Sequence, residues 1–185
     1  MSPFIRDKLR SADKINWTRV LIDSSFVWAA YGGEETGPSP VDRSKPGSKH
    51  HIITDASGIP LASSVTAANV NDPLAPLFNA LPAVAGKAGH SRKKHDALQG
   101  DLAYDSEPHR QGLRDMGVEP ILPEKQIDDQ SGLGKTRWPV EQTLSWAHQN
   151  RRLRIRYEKR PDIHQAFLTL ACIKICAIAL LAGFC

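Results

Sequence analysis

The chain has 185 residues and a mass of 20.4 kDa, with 41% hydrophobic and 24% charged residues. Those values exclude a wholly disordered chain and leave room for one domain with a sizeable core, not two. The net charge of +4 and pI near 9.1 permit a polyanionic partner without requiring one; the clustering of cations between Lys87 and Lys94 and between Arg151 and Arg160 says more.

Residues 1–16 show little periodicity and are expected to form a loosely attached arm, with the ordered domain over 17–182. Met1 to Lys14 lacks an apolar core followed by a cleavage site, so it is not a signal peptide. Thr18 to Val27 is apolar and β-branched at its centre, which predicts a strand. The Gly/Pro/Ser-rich stretch Gly32 to Ser48 predicts a long loop, the kind of segment that often carries function. His51 to Thr54 and Leu61 to Thr66 read as a hairpin turned at Asp55-Ala-Ser-Gly58. Asp72 and Pro73 suit the cap and first position of a helix bearing Leu74, Leu77, Phe78 and Leu81. Residues 86–94 predict a basic loop, and Ala97 to Ala103 a fourth strand. Glu107 to Met116 predicts a helix stopped by Gly117, and Val118 to Leu122 a fifth strand. A polar loop from Glu124 to Lys135 precedes two helices, Arg137 to Asn150 and Ile163 to Leu181.

The last of these helices is apolar enough to raise a membrane question. Lys174 at its centre and the lack of an aromatic belt favour burial against the domain instead. Phe167, Leu170, Ala171, Ile175 and Ile178 are expected to face inward, with Lys174 at the edge. Cys172 and Cys176, four apart on that helix, fit neither a disulfide nor a zinc pattern and read, with Cys185, as reduced thiols of a cytoplasmic protein. The order of elements predicts an α/β fold: a ribonuclease-H-like mixed sheet, antiparallel at first and then parallel, flanked by helices.

Three carboxylates stand out on that frame. Asp23 falls within an apolar strand, where a charge is costly to bury unless paired or ligating a metal. Asp101 follows the fourth strand, the expected neighbour of the first, and Glu141 lies early in the helix behind them. Such oxygen ligands suit Mg²⁺ or Mn²⁺, and two ions can activate a hydroxyl and stabilise a leaving oxygen. Plain structural readings stand beside this: a hydrogen-bonded strand or turn aspartate, and a glutamate offsetting a helix dipole. Asp105, the rival to Asp101, looks more like part of the cap of the next helix. Arg137 sits one turn before Glu141 and could hold that carboxylate or clamp a phosphate. His148, two turns after Glu141, is either a contact to a polyanionic partner or a solvated side chain. Lys45, Lys49, His50, Arg92, Lys93 and Lys94 on expected loops, and the alternating Arg151, Arg152, Arg154 and Arg156, are candidates for phosphate contacts.

Several ordered motifs carry a resemblance. Asp23-Ser-Ser, Gly-Gly-Glu-Glu-Thr-Gly-Pro and Asp42-Arg-Ser-Lys-Pro-Gly-Ser-Lys-His-His come first. Thr54-Asp-Ala-Ser-Gly-Ile-Pro-Leu, Ala68-Asn-Val-Asn-Asp and Asp101-Leu-Ala-Tyr-Asp-Ser follow. Arg137-Trp-Pro-Val-Glu-Gln-Thr-Leu-Ser-Trp and the basic tail from Arg151, with Asp162-Ile-His-Gln-Ala-Phe-Leu, complete the set. Together they resemble transposases of the insertion-sequence-5-like group, within the insertion-sequence-4 superfamily, from about Trp17 to Leu181. The resemblance implies a DDE triad at Asp23, Asp101 and Glu141 holding Mg²⁺ or Mn²⁺ (two ions), and cut-and-join chemistry on insertion-element ends. It also implies double-stranded DNA as partner, with homo-oligomers in the active complex and no membrane. The superfamily's Tyr, Arg, Glu, Lys signature is met at Arg137 and Glu141, but Gly134 stands at the Tyr place and His148 at the Lys place. Pro139 replaces a usual β-branched residue, and a position in the first helical turn is expected to tolerate it. An upstream DNA-binding domain is expected to be absent, which points to a frameshift partner made with the product of an upstream reading frame, or to a decayed copy. The competing functions are a nuclease without transposition and a non-catalytic fragment that binds DNA or a full-length partner.

Overall fold

The computed structural model describes residues 3–40, 42–70, 74–93, 95–123 and 133–182. Strand β1 (Arg19–Ala29) is the spine of the sheet. It pairs antiparallel with β3 (Pro46–Asp55), which in turn pairs antiparallel with β4 (Pro60–Ala67). The short β2 (Gly37–Pro38) also joins β3. On the other edge of β1, β5 (Ala97–Gln99) runs parallel and carries β6 (Glu119–Ile121) beside it. The main order is β2-β3-β1-β5-β6, and the neighbouring first and fourth strands expected of a ribonuclease-H-like sheet are present as β1 and β5. Helices α2 (Leu74–Asn79), α3 (Glu107–Asp115), α4 (Leu133–His148), α5 (Arg151–Arg154) and α6 (Pro161–Ala182) complete the α/β arrangement. Strand β7 (Ile155–Arg156) returns to β1 after α5.

Local chemistry explains the boundaries. The β3–β4 turn is organised by Asp55, whose carboxylate accepts from the N–H groups of Ser57 and Ile59 at 2.9 and 2.8 Å. It also accepts from Asn16 N at 2.7 Å, tying the entry of β1 to the hairpin. Gly58, at φ 91°, takes the left-handed position that the turn requires. Ser106 caps α3 by accepting from His109 N, and Gly117 at φ 65° ends it. Asp72 and Pro73, expected to open α2, and Lys94 of the basic loop lie outside the described residues.

The two faces of the sheet bury different partners. Ile22, Ile53 and Leu98 pack with Leu74 and Leu113 in the larger cluster, while Ile52 meets Leu144, Leu168 and Cys172 from α4 and α6. Register places Asp23 opposite Ile52 and Ser25 opposite His50, so these four share the face that α4 and α6 cover.

Several expectations need correction. Instead of a loose arm, Pro3–Ser11 forms helix α1, with Leu9 fully buried in the larger cluster. Its apolar spacing is too short to announce itself; the partner that buries it is α6, far along the chain. Helix α4 starts at Leu133, so Pro139 lies inside it and not in its first turn. The missing N–H therefore deletes a helical hydrogen bond that the expected start at Arg137 would have spared. On α6, the inward stripe is His164, Leu168, Ala171, Cys172, Ile175, Cys176 and Ala179. Leu170 and Ile178, expected to face inward, are 59% and 52% exposed. A helix apolar on nearly every side does not reveal its buried face by composition. Pro161–Leu181 has the length and hydropathy of a membrane span, yet one side is packed into the domain and Lys174 is exposed.

Candidate active site

The site begins with a gap in the sheet. Strand β5 pairs with β1 only at Arg19 to Leu21, and β7 rejoins the same edge at Trp28 and Ala29. Among the described residues, no strand fills the edge between them. A depression of about 370 Å³ opens there, lined by Asp23, Ser24 and Ser25 from β1 and by Glu141, Ser145 and His148 from α4. Glu141, Ser145 and His148 share a helix face by their spacing of four and three. Asp23 is half-buried, and its Oδ1 accepts from Ser24 N at 2.8 Å.

Asp101 approaches from β5. Leu21 pairs with Gln99, so Asp23 and Asp101 each lie two residues beyond one register pair. Asp101 caps a short 3₁₀ turn, Leu102–Tyr104, by accepting from Ala103 N at 2.9 Å. Gln99 Nε2 donates to Thr136 Oγ1 at 2.9 Å, which pins α4 to the end of β5 immediately before Arg137. Arg137 then bridges two of the carboxylates. Its Nη2 donates to Glu141 Oε1 at 2.9 Å, and its Nη1 lies 3.6 Å from Asp101 Oδ2. Asp23 and Glu141 thus share the depression, and Arg137 links Glu141 to Asp101.

The donors are hard oxygens of the kind that Mg²⁺ and Mn²⁺ prefer. Among the described residues, however, no three His, Cys, Asp or Glu side chains are gathered closely enough to hold an ion as they stand. A guanidinium occupies the place between Asp101 and Glu141 and supplies the positive charge there. The side chains of Asp101, Arg137 and Glu141 are 35%, 20% and 48% exposed, so their pairing is screened and weakly held. Asp105, the rival carboxylate, is committed to Arg110 at 2.7 Å in a nearly buried pair.

The expected phosphate contacts divide. Lys45 is exposed and pairs with Asp42 at 3.2 Å, and Lys49 donates to Val70 O. Arg151 and Arg154 are exposed, while Arg152 pairs with Glu158 at 2.8 Å and lies over the Phe167 ring. Arg92 covers the Trp17 ring, and Lys93 donates to Asn79 O. His50 and Arg156 must be withdrawn from this group. Each is 0% exposed, because each lies in a strand facing inward; His50 is on β3 and not on the expected loop, and Arg156 points in from β7 instead of lining an outer edge. Arg156 donates to Ser48 Oγ and to the carbonyls of Glu34, Glu35, Glu158 and Lys159, closing the base of the 32–48 segment.

A second polar constellation was missed by sequence reasoning. His50 Nδ1 lies 3.1 Å from His148 Nε2, and His50 Nε2 lies 2.7 Å from His164 Nε2. His164 Nδ1 then meets Glu158 Oε2 at 3.1 Å. Burial, and after it the neighbouring histidines and Arg156, holds His50 well below the ordinary histidine value. Burial also lowers His148 and His164. Glu158 is pushed up by burial but held below its ordinary value by the hydrogen bonds it accepts, from His164 above all. Three histidines spread over 115 positions carry no local pattern; only His148's place on the helix face of Glu141 hinted at this row.

The chain is similar to known transposases. Residues 18–175 match the family described as "Transposase DDE domain". The chain is also 51% identical over 160 residues to the "Putative transposase for insertion sequence element IS402" of Burkholderia cepacia, covering 85% of this chain and 74% of that protein.

Proposed function

The chain belongs to the DDE transposase domain family, and on that premise we propose that it cleaves DNA at insertion-element ends and joins the freed 3′ ends to target DNA. The finer placement in the insertion-sequence-5-like group belongs to the same proposal. The observation that carries it is the meeting of Asp23 and Glu141 in one depression, with Arg137 linking Glu141 to Asp101. Asp23, Asp101 and Glu141 are the residues that would hold divalent ions, Mg²⁺ or Mn²⁺, which supply a deprotonated nucleophile and charge neutralisation at the leaving oxygen. Arg137 pairs with two of these carboxylates in the free protein. Released from them, its planar fork suits a non-bridging phosphate oxygen of the scissile strand. The open edge of β1 leaves room for an extended DNA strand beside Asp23, Ser24 and Ser25. Lys45, Arg151 and Arg154 are exposed cations suited to salt-sensitive backbone contacts. Double-stranded DNA is the partner, with further copies of the chain in the active complex.

A plasmid carrying the element, incubated with Mg²⁺ and the chain, tests the reading. Nicking at the element ends is expected, with its loss in Glu141→Gln. One observation favours a second reading, a fragment that binds DNA without cutting: Arg137 stands where an ion would need the carboxylates. End binding that persists with no Mg²⁺-dependent nicking, in the wild type and in Arg137→Gln alike, selects that alternative.

A further inference from the structure

The row of histidines has a direction. Glu158 Oε1 accepts from Arg152 Nη1 at 2.8 Å, and its Oε2 faces His164 Nδ1 at 3.1 Å. A carboxylate paired with a guanidinium only accepts, so His164 carries its proton on Nδ1. A neutral ring has one N–H, so His164 Nε2 accepts and His50 Nε2 donates across their 2.7 Å contact. By the same count His50 Nδ1 accepts and His148 Nε2 donates. His148, which lines the depression with Asp23 and Glu141, is left with its lone pair on Nδ1. The surroundings favour three neutral rings. His50 and His164 are fully buried, and the Arg156 guanidinium opposes a further positive charge beside them. Arg154 Nε donates to His148 O at 3.0 Å, holding the last turn of α4 in place.

We infer that Glu158, acting through His164 and His50, fixes His148 as a neutral ring whose Nδ1 accepts a hydrogen bond from the nucleophile's hydroxyl in the depression. The inference rests on the reading of that depression as a phosphodiester-cleaving site. His148 meets the nucleophile; His50, His164 and Glu158 are positioning residues, as the buried carboxylate is in a serine protease triad. An oxygen attacking phosphorus needs a lone pair forward and its O–H directed away, and an acceptor of fixed tautomer at the rim does that. In end cleavage the nucleophile is water: as its oxygen bonds to phosphorus and the bond to the 3′ oxygen breaks, one of its protons ends on that 3′ oxygen, while the other is the one directed at Nδ1, so no proton need leave the row.

The test reads tautomers first. Long-range ¹H–¹⁵N spectra of the full chain, without DNA or metal at pH 7.5, should show His148 and His50 protonated on Nε2 and His164 on Nδ1. In Glu158→Gln the side-chain amide can accept or donate, so both directions of the row become available and His148 should show a mixture. In cleavage assays that variant should lose roughly 10- to 100-fold in kcat, the range for an outer partner that orients a histidine, with KM for DNA unchanged. Glu158→Asp should recover part of the loss. A wild-type His148 protonated on Nδ1 overturns the inference, as does a Glu158→Gln chain with unaltered tautomers and unaltered kcat. Failure of the wild type to cleave at all counts against the nuclease reading instead, and the spectra still decide this one.

Discussion

The carboxylates and the histidines that meet on one face of α4 are held on opposite terms. Asp101, Arg137 and Glu141 are partly exposed, joined by one guanidinium, and no more than about 1 kcal/mol holds any such pair together. His50 and His164 are fully buried, each ring nitrogen is partnered, and a lost member leaves an unpaired group in a dry interior. The difference teaches where rearrangement is cheap. The carboxylates can exchange Arg137 for another cation, and Arg137 can turn to a phosphate, without unfolding anything, while the histidine side must keep its geometry.

Breaking the rigid half should have the largest effect on stability. Arg156→Met leaves Ser48 and several carbonyls without their donor in the interior and should cost on the order of 3–5 kcal/mol. His50→Ala should follow at roughly 2–4 kcal/mol, from a cavity and two lost hydrogen bonds. Urea denaturation at pH 7 measures both, and a loss under about 1 kcal/mol in either would dissolve the contrast.

Buried neutral histidines also make the fold sensitive to acid. His95, stacked on Trp17 and 2% exposed, is pushed down by burial from 6.5 to about 4. Between those values the unfolded chain binds the proton and the folded chain does not, so stability rises with pH across that window. A penalty of about 3 kcal/mol therefore develops as the pH falls from 6.5 to 4. Asp55 is raised by burial to about 6 and works in the opposite direction between pH 3.8 and 6. The difference between wild type and His95→Phe at pH 7 and pH 4.5 isolates the histidine, and equal slopes in the two chains would contradict the argument.

The sequence made the yielding half legible and hid the rigid half. Asp23 showed itself as a charge in an apolar strand, and Arg137 and Glu141 as an i, i+4 pair on one helix. Both signals are local, so each residue stood out by itself, but their grouping as one site came from the family resemblance. The β3–β4 hairpin followed from strand-like runs and turn residues for the same reason, while the adjacency of β1 and β5 followed from the expected ribonuclease-H-like sheet. The histidine row joins β3, α4 and α6 across about 100 residues of chain, and no local pattern records such a contact. Arg156 was misread for a related cause: it continues the alternation of Arg151, Arg152 and Arg154, yet its strand turns it inward where theirs are on or beside a short helix. Helix α1 and the inner face of α6 depend on each other, so neither could be placed before both were.

On the yielding half, stability should barely respond. Glu141→Gln removes a half-exposed partner of Arg137 and should change unfolding free energy by less than about 1 kcal/mol. A loss of 3 kcal/mol would mean that the carboxylates are structural. Smaller still, Leu170→Ser on the exposed side of α6 should stay within about 0.5 kcal/mol. Leu168→Ala on its buried side should cost roughly 2–5 kcal/mol, and reversal of that order would reverse the helix.

The most direct test of the account is Mg²⁺-dependent cleavage by wild type and Asp23→Asn, each first shown to be folded by its thermal transition. Asp23 is the carboxylate that Arg137 does not hold in this structure, so its replacement leaves the Arg137 pairs intact. The account predicts cleavage at the element ends by the wild type, none without Mg²⁺ or Mn²⁺, and none by Asp23→Asn at any metal concentration. Undiminished cleavage by a folded Asp23→Asn chain would contradict it, because the depression beside β1 would then not be where the phosphodiester bond is broken.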